Sequence, residues 1–153
     1  MAIAIKLATV ADSISKLSLT GVTIKDLDEI PTEILGRDVP MIIPVPNGFV
    51  TGMTPERVTL GSGASAKWDV KYQLNYRLLH SEIGTGRTSI FDTYAAMVTK
   101  AVAFVDLIMT NDAITGAVDI EVSNITDFGP VVDPTGKAFH GCDFIFDVLE
   151  HQD

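Results

Sequence analysis

Three histidines and one cysteine are the side chains best suited to metal or nucleophilic chemistry here, and their spacing builds neither site. His140 and Cys142 fall on one face of an extended segment. A metal site takes three or four ligands, and no further His or Cys is near them in sequence. His80 is followed by Ser81 and Glu82, and His151 stands in the tail, so nothing assembles His80, His140 and Cys142 into a triad. A solitary Cys142 reads as a small buried apolar residue rather than a nucleophile. The glycine-rich run GSGASAK at 61–67 invites comparison with a phosphate loop. It lacks glycine at Ala66 and Ser or Thr at Trp68, and an extended segment follows where a helix is needed. Gly84-Thr85-Gly86 does precede a helical pattern, but a turn and an N-cap explain it. The sequence assigns no catalytic residue, no metal ligand and no cofactor, and enzymatic activity is disfavoured.

Charge says more. The net charge is −9, and residues 111–153 carry −8 of it, with Lys137 against nine acids. A field of that sign repels a polyanion, so phosphate-directed nucleic-acid binding is disfavoured. Seven acids dominate that third: Asp119, Glu121, Asp127, Asp133, Asp143, Asp147 and Glu150. They serve either as a solubilising face or as a surface that repels something negative. Hydrophobic residues make up 46% of this acidic chain, so some apolar surface is expected to be covered by partners.

The elements that would position these groups are legible from periodicity. In WDVKYQLNYRL, Trp68, Val70, Tyr72, Leu74, Tyr76 and Leu78 alternate with polar residues, which predicts a long strand with one face packed. Trp68, Tyr72 and Tyr76 form an aromatic row suited to core packing against a helix. From Ser89, an N-cap candidate, Phe91, Tyr94, Ala95, Val98, Ala101, Val102, Val105 and Ile108 keep helical spacing. Ile3, Leu7, Val10, Ile14 and Leu17 predict an N-terminal helix stopped at Gly21. Val22–Leu27 reads as a short strand. Val39–Val45 is extended, and Pro40, Pro44 and Pro46 confine it to a sheet edge or an irregular segment. A loop is expected from Asn47 to Pro55 and a short strand from Arg57 to Leu60. Val118–Ile125, with Val118, Ile120 and Val122 inward, then a turn over 129–136 and the strand from Cys142 close the chain. The result is a single domain, 1–153, of α+β class: an antiparallel-rich mixed sheet with two helices packed mainly on one face.

Phe49, Val50 and Met53 stand out inside the expected loop. Either the loop folds back on its own core, or these residues meet a neighbouring subunit; the expectation carried forward is subunit or partner contact. One cysteine cannot form an internal disulfide, MAIAIKLATVADS has no continuous signal-like apolar run, and no segment reaches the roughly 18 apolar residues of a membrane span. A protein that is intracellular, or at least indifferent to redox compartment, and that does not enter membranes is expected.

Order and local phrasing resemble the tail terminator proteins of long-tailed, siphovirus-like bacteriophages. An N-terminal helix leads to KDLDEIPTEI and the proline-punctuated VPMIIPVPN. ERVTLGSGASAKWDVKYQLNYRLL, the long helix SIFDTYAAMVTKAVAFVDLIM and a closing hairpin ending FIFDVLEHQD follow, so the likeness spans nearly the whole chain. The resemblance implies a structural virion protein, made in the host cytoplasm. It would form a hexameric ring that caps the head-proximal end of the tail tube, stops its polymerisation and joins it to the head-side connector or stopper. Its partners would be copies of itself, the tube protein and that connector, with DNA passing through unbound. Six copies would sum to −54, six times −9, and Asp119, Glu121, Asp127, Asp143 and Asp147 are the expected channel-lining acids. Another neck or tube ring protein (stopper, connector adaptor or tube subunit) shares much of this plan. A small cellular α+β ligand-binding protein is the remaining alternative.

Overall fold

The computed structural model describes residues 6–45, 48–58, 67–83, 90–111, 114 and 118–152. Its elements are α1 (Leu7–Ser15), β1 (Thr23–Ile24), β2 (Met41–Pro44), β3 (Val50–Arg57), β4 (Trp68–Glu82), α2 (Ile90–Thr110), β5 (Asp119–Val132) and β6 (Ala138–Gln152). Among the described residues six strands form one mixed, mostly antiparallel sheet, in the order β1-β2-β4-β6-β5 with β3 also pairing β4, so the class is α+β as the periodicity implies.

β4 is the spine. It pairs with β6 from Trp68↔Gln152 to Glu82↔Phe139. Its other edge is shared end to end by β3, opposite Trp68 to Leu74, and β2, opposite Tyr76 to Leu79. Val70, Tyr72, Leu74, Tyr76 and Leu78 are buried on one face, in one cluster with Cys142, Phe144, Phe146 and Val148 of β6. Both helices cover that face, α1 through Val10, Ala11 and Ile14 and α2 through Met97, Ala101, Phe104 and Ile108. The Phe104 ring sits 4.8 Å from Phe144 and 5.8 Å from Tyr76 between centroids, an edge-on geometry that suits the ring quadrupoles. A smaller core on the opposite face gathers Ile34, Met41, Ile43, Leu79, Val131 and Phe139 at one end of the sheet. There Gly141 is obligatory, because a Cβ would lie 1.8 Å from the Leu78 carbonyl oxygen.

Several expectations are corrected. The buried stripe of α2 is Met97-Ala101-Phe104-Ile108, while Tyr94 and Val102 are exposed; the helix is apolar around so much of its girth that periodicity alone does not fix its rotation. Its N-cap candidate Ser89 lies outside the described residues, as does Ile3 of the first helix. That helix ends at Ser15 rather than at Gly21, which instead takes φ +74 in the tight turn joining Leu19 to Val22. β2 is interior, not an edge. The carbonyls of Pro40 and Ile42 accept from the Thr23 and Lys25 amides of the β1 side, so the missing N–H of Pro44 points past the short end of β1, where no ladder is broken. β5 runs through Gly129 and Pro130 to Val132, and the turn is confined to Asp133–Lys137. Register shifts at Val122/Asn124 and Thr126/Gly129 interrupt β5; Val122, paired with buried Phe146, keeps the inward face as expected but stays 38% exposed on this edge strand.

Candidate channel face and subunit contacts

The sheet face away from the helices carries the polar half of each alternation. Across the β4–β6 ladder, Asp69 faces His151, Gln73 faces Asp147 and Arg77 faces Asp143; across β5–β6, Asp119 faces Leu149 and Glu121 faces Asp147. Directly opposed residues project from the same side, so the neighbouring strands β5 and β6 bring Asp119, Glu121 and Asp147 together. They line an open groove of about 830 Å³ with Gly52, Lys71 and Gln73.

Its electrostatics are uneven. Glu121 and Asp147, both exposed, are like charges at directly paired positions, an arrangement that costs stability. Asp147 accepts a hydrogen bond from Gln73 Nε2 at 3.0 Å. His151 lies between carboxylates, with Nδ1 2.7 Å from Asp69 and Nε2 3.0 Å from Asp119, so it ties β4, β6 and β5 together. Hydrogen bonding to Asp69, then to Asp119, raises the His151 pKa. The only cation among the groove's lining residues is Lys71, which reaches Glu56 at 3.8 Å.

The remaining acids of that third play other parts. Asp143 is held by Arg77 through Nε at 2.7 Å and Nη2 at 2.9 Å, and its side chain is only 16% exposed; this bidentate pair cancels its charge instead of presenting it to a channel. The side chain of Asp127 lies outside the described ones. Glu150 is 1% exposed, accepting from the Lys6 amide at 2.7 Å and from the Tyr72 hydroxyl. A strand residue thus satisfies an orphan N–H at the α1 N-terminus, where Lys6 itself gives no side-chain cap. Asp133, 4% exposed, closes the hairpin turn by accepting from the Thr135 amide, the Thr135 hydroxyl and the Lys137 amide. Burial alone would raise the Asp133 pKa; these bonds outweigh it and lower it.

Phe49, Val50 and Met53 separate. Asn47 lies outside the described residues, but Val50–Arg57 is strand β3, not loop. Phe49 is 7% exposed and sits edge-on to Tyr76 at 5.1 Å, which corrects its reading as a subunit contact: β3 pairing carries the ring over the core. Val50 packs partly against the same core, and Met53 stays 41% exposed.

No family model matches the chain, and no curated protein does.

Among the described residues, no group of three or more His, Cys, Asp or Glu could hold a metal ion. Burial pushes the Cys142 thiol up to about 12, so it is not a thiolate near neutral pH. His80, with Nε2 3.4 Å from Lys100 Nζ, is pushed down to about 4 by burial, then by Lys100 and His140. No described helix is long and apolar enough to cross a membrane. Two of these features carry a signal in the sequence. Glu150 is in phase with the inward Phe144, Phe146 and Val148, and His151 is in phase with the outward Asp143 and Asp147. The His80–Lys100 contact had none, because it depends on where α2 crosses β4.

Proposed function

We propose that this protein is a tail terminator: a ring, hexameric by resemblance, that caps the head-proximal end of a phage tail tube, stops polymerisation and meets the head-side connector. It works in the virion neck after assembly in the host cytoplasm. Its helix-free sheet face turns toward the channel. One observation carries this reading: Glu121 and Asp147 are held directly opposite one another beside Asp119, on an open face, although like charges at paired strand positions destabilise the sheet. Dispersed solubilising charge requires no such pairing, whereas a wall that DNA must slide past benefits from concentrated negative potential. Sixfold repetition multiplies that potential around a closed path. Asp143, neutralised by Arg77, contributes none of it. The test is reconstitution: tube subunits polymerised with the protein should give short tubes bearing a cap at one end by electron microscopy. Tubes of unchanged length with bare ends would reject the proposal.

A further inference from the structure

Most of the large apolar side chains left in water gather at the two lateral edges of the sheet. At one edge α2 overhangs β5. Tyr94 touches the Phe128 ring, with centroids 5.9 Å apart. Tyr94, Val98, Val102, Val105 and Met109 follow helical spacing beside the buried stripe, and Val102 is 57% exposed. Val122, across from buried Phe146, extends this apolar step onto the strand. Asp106 on α2 and Asp119 and Glu121 on β5 are exposed, and no Lys or Arg occurs between Lys100 and Lys137. The opposite edge is β3, exposed along nearly its whole length, with Met53 41% and Val58 58% exposed. Cations gather beside it, with Arg57, Lys67 and Lys71 set against Glu56 and Asp69.

We propose that the β5–α2 flank of one copy seats the β3 edge of the next, an inference that rests on the ring reading for its choice of occupant. The two edges are unlike and complementary: an apolar step with exposed acids on one, and an apolar edge on the other where three cations outnumber two carboxylates. Copies therefore join head to tail, the kind of contact that closes into a ring when its rotation permits. Register shifts and prolines interrupt both edges, at Thr51/Thr54 and Pro55 in β3 and at two places and Pro130 in β5, which blocks a continuous backbone ladder. The contact is made by side chains, and added salt weakens its charged rim.

The experiment uses the full chain with mass photometry and sedimentation. Val102→Asp spoils only the flank and Met53→Asp only the β3 edge. Each alone should weaken self-association about 100-fold or more, since each buries an unpaired charge. Mixed in equal amounts, they should form a dimer and nothing larger, because one intact flank meets one intact edge. Met109→Asp and Val58→Asp form a second pair should either first variant fail to fold by circular dichroism. If Met53→Asp assembles like the unmodified protein while Val102→Asp does not, the contact is flank to flank and the proposal is overturned. If both variants assemble normally, the edge assignment fails while the ring stands. If the unmodified protein stays monomeric in solution and on tubes, the ring reading itself fails, and the edges with it.

Discussion

Replacing Glu150 with Ala should be far costlier than its place in an acidic tail suggests. The carboxylate is 1% exposed and accepts from both the Tyr72 hydroxyl and the Lys6 amide. Removing it leaves a buried phenol unsatisfied, worth about 1–3 kcal/mol, and uncaps α1, worth about 1 kcal/mol. Relief from desolvating the carboxylate offsets part of this, so a net loss of about 2–3 kcal/mol is expected. In a domain of this size that lowers the thermal midpoint by roughly 4–12 °C. The assay is urea denaturation followed by circular dichroism, where the midpoint should fall at unchanged slope. Adding Tyr72→Phe should recover about 1 kcal/mol, because the orphaned hydroxyl goes with it. Asp147→Ala, on the same strand but facing water, should stay within about 0.5 kcal/mol of the unmodified protein. A Glu150→Ala variant as stable as the parent, or no recovery in the double variant, would refute the buried-cap reading.

Phe49→Ala should destabilise by about 3–5 kcal/mol through lost packing against Tyr76; impaired assembly with an unchanged unfolding midpoint would restore Phe49 to a subunit contact. His80 should titrate near 4 by proton NMR. The unfolded chain takes up that proton near 6.5 and the folded chain only near 4, so the His80 contribution to stability is lost as pH falls through this window. A His80→Gln variant with the same acid sensitivity would remove His80 as its source. Glu121→Lys, placed opposite Asp147, should raise stability by up to about 1 kcal/mol and slow DNA passage most at low salt. A loss of stability there would mean that the two carboxylates do not repel.

Strict alternation made the sheet legible: the apolar row of β4 is buried from Val70 to Leu78, with half-buried Trp68 outside the core at the strand's start, and β6 follows the same rule from Cys142 to Val148. Rotation of α2 was not legible, because Met97 and Phe104 compete with an equally apolar stripe through Tyr94, Val98 and Val102, and tertiary packing alone chooses between them. Burial of Phe49 depended on long-range pairing of β3 with β4. Among the acids, alternation placed Asp119, Glu121, Asp143 and Asp147 on one face, but only the β4 register reveals that Arg77 claims Asp143. Glu150 and Asp133 read as solvated charges until their partners from α1, β4 and the turn are seen.

A cryo-electron reconstruction of the protein bound to purified tail tubes tests the ring directly. A cap of six copies at one tube end, with Asp119, Glu121 and Asp147 facing the channel and α1 and α2 on the outer wall, is the required result. A cap whose helices line the channel while these carboxylates face bulk solvent, or tubes with no added density at either end, would contradict it.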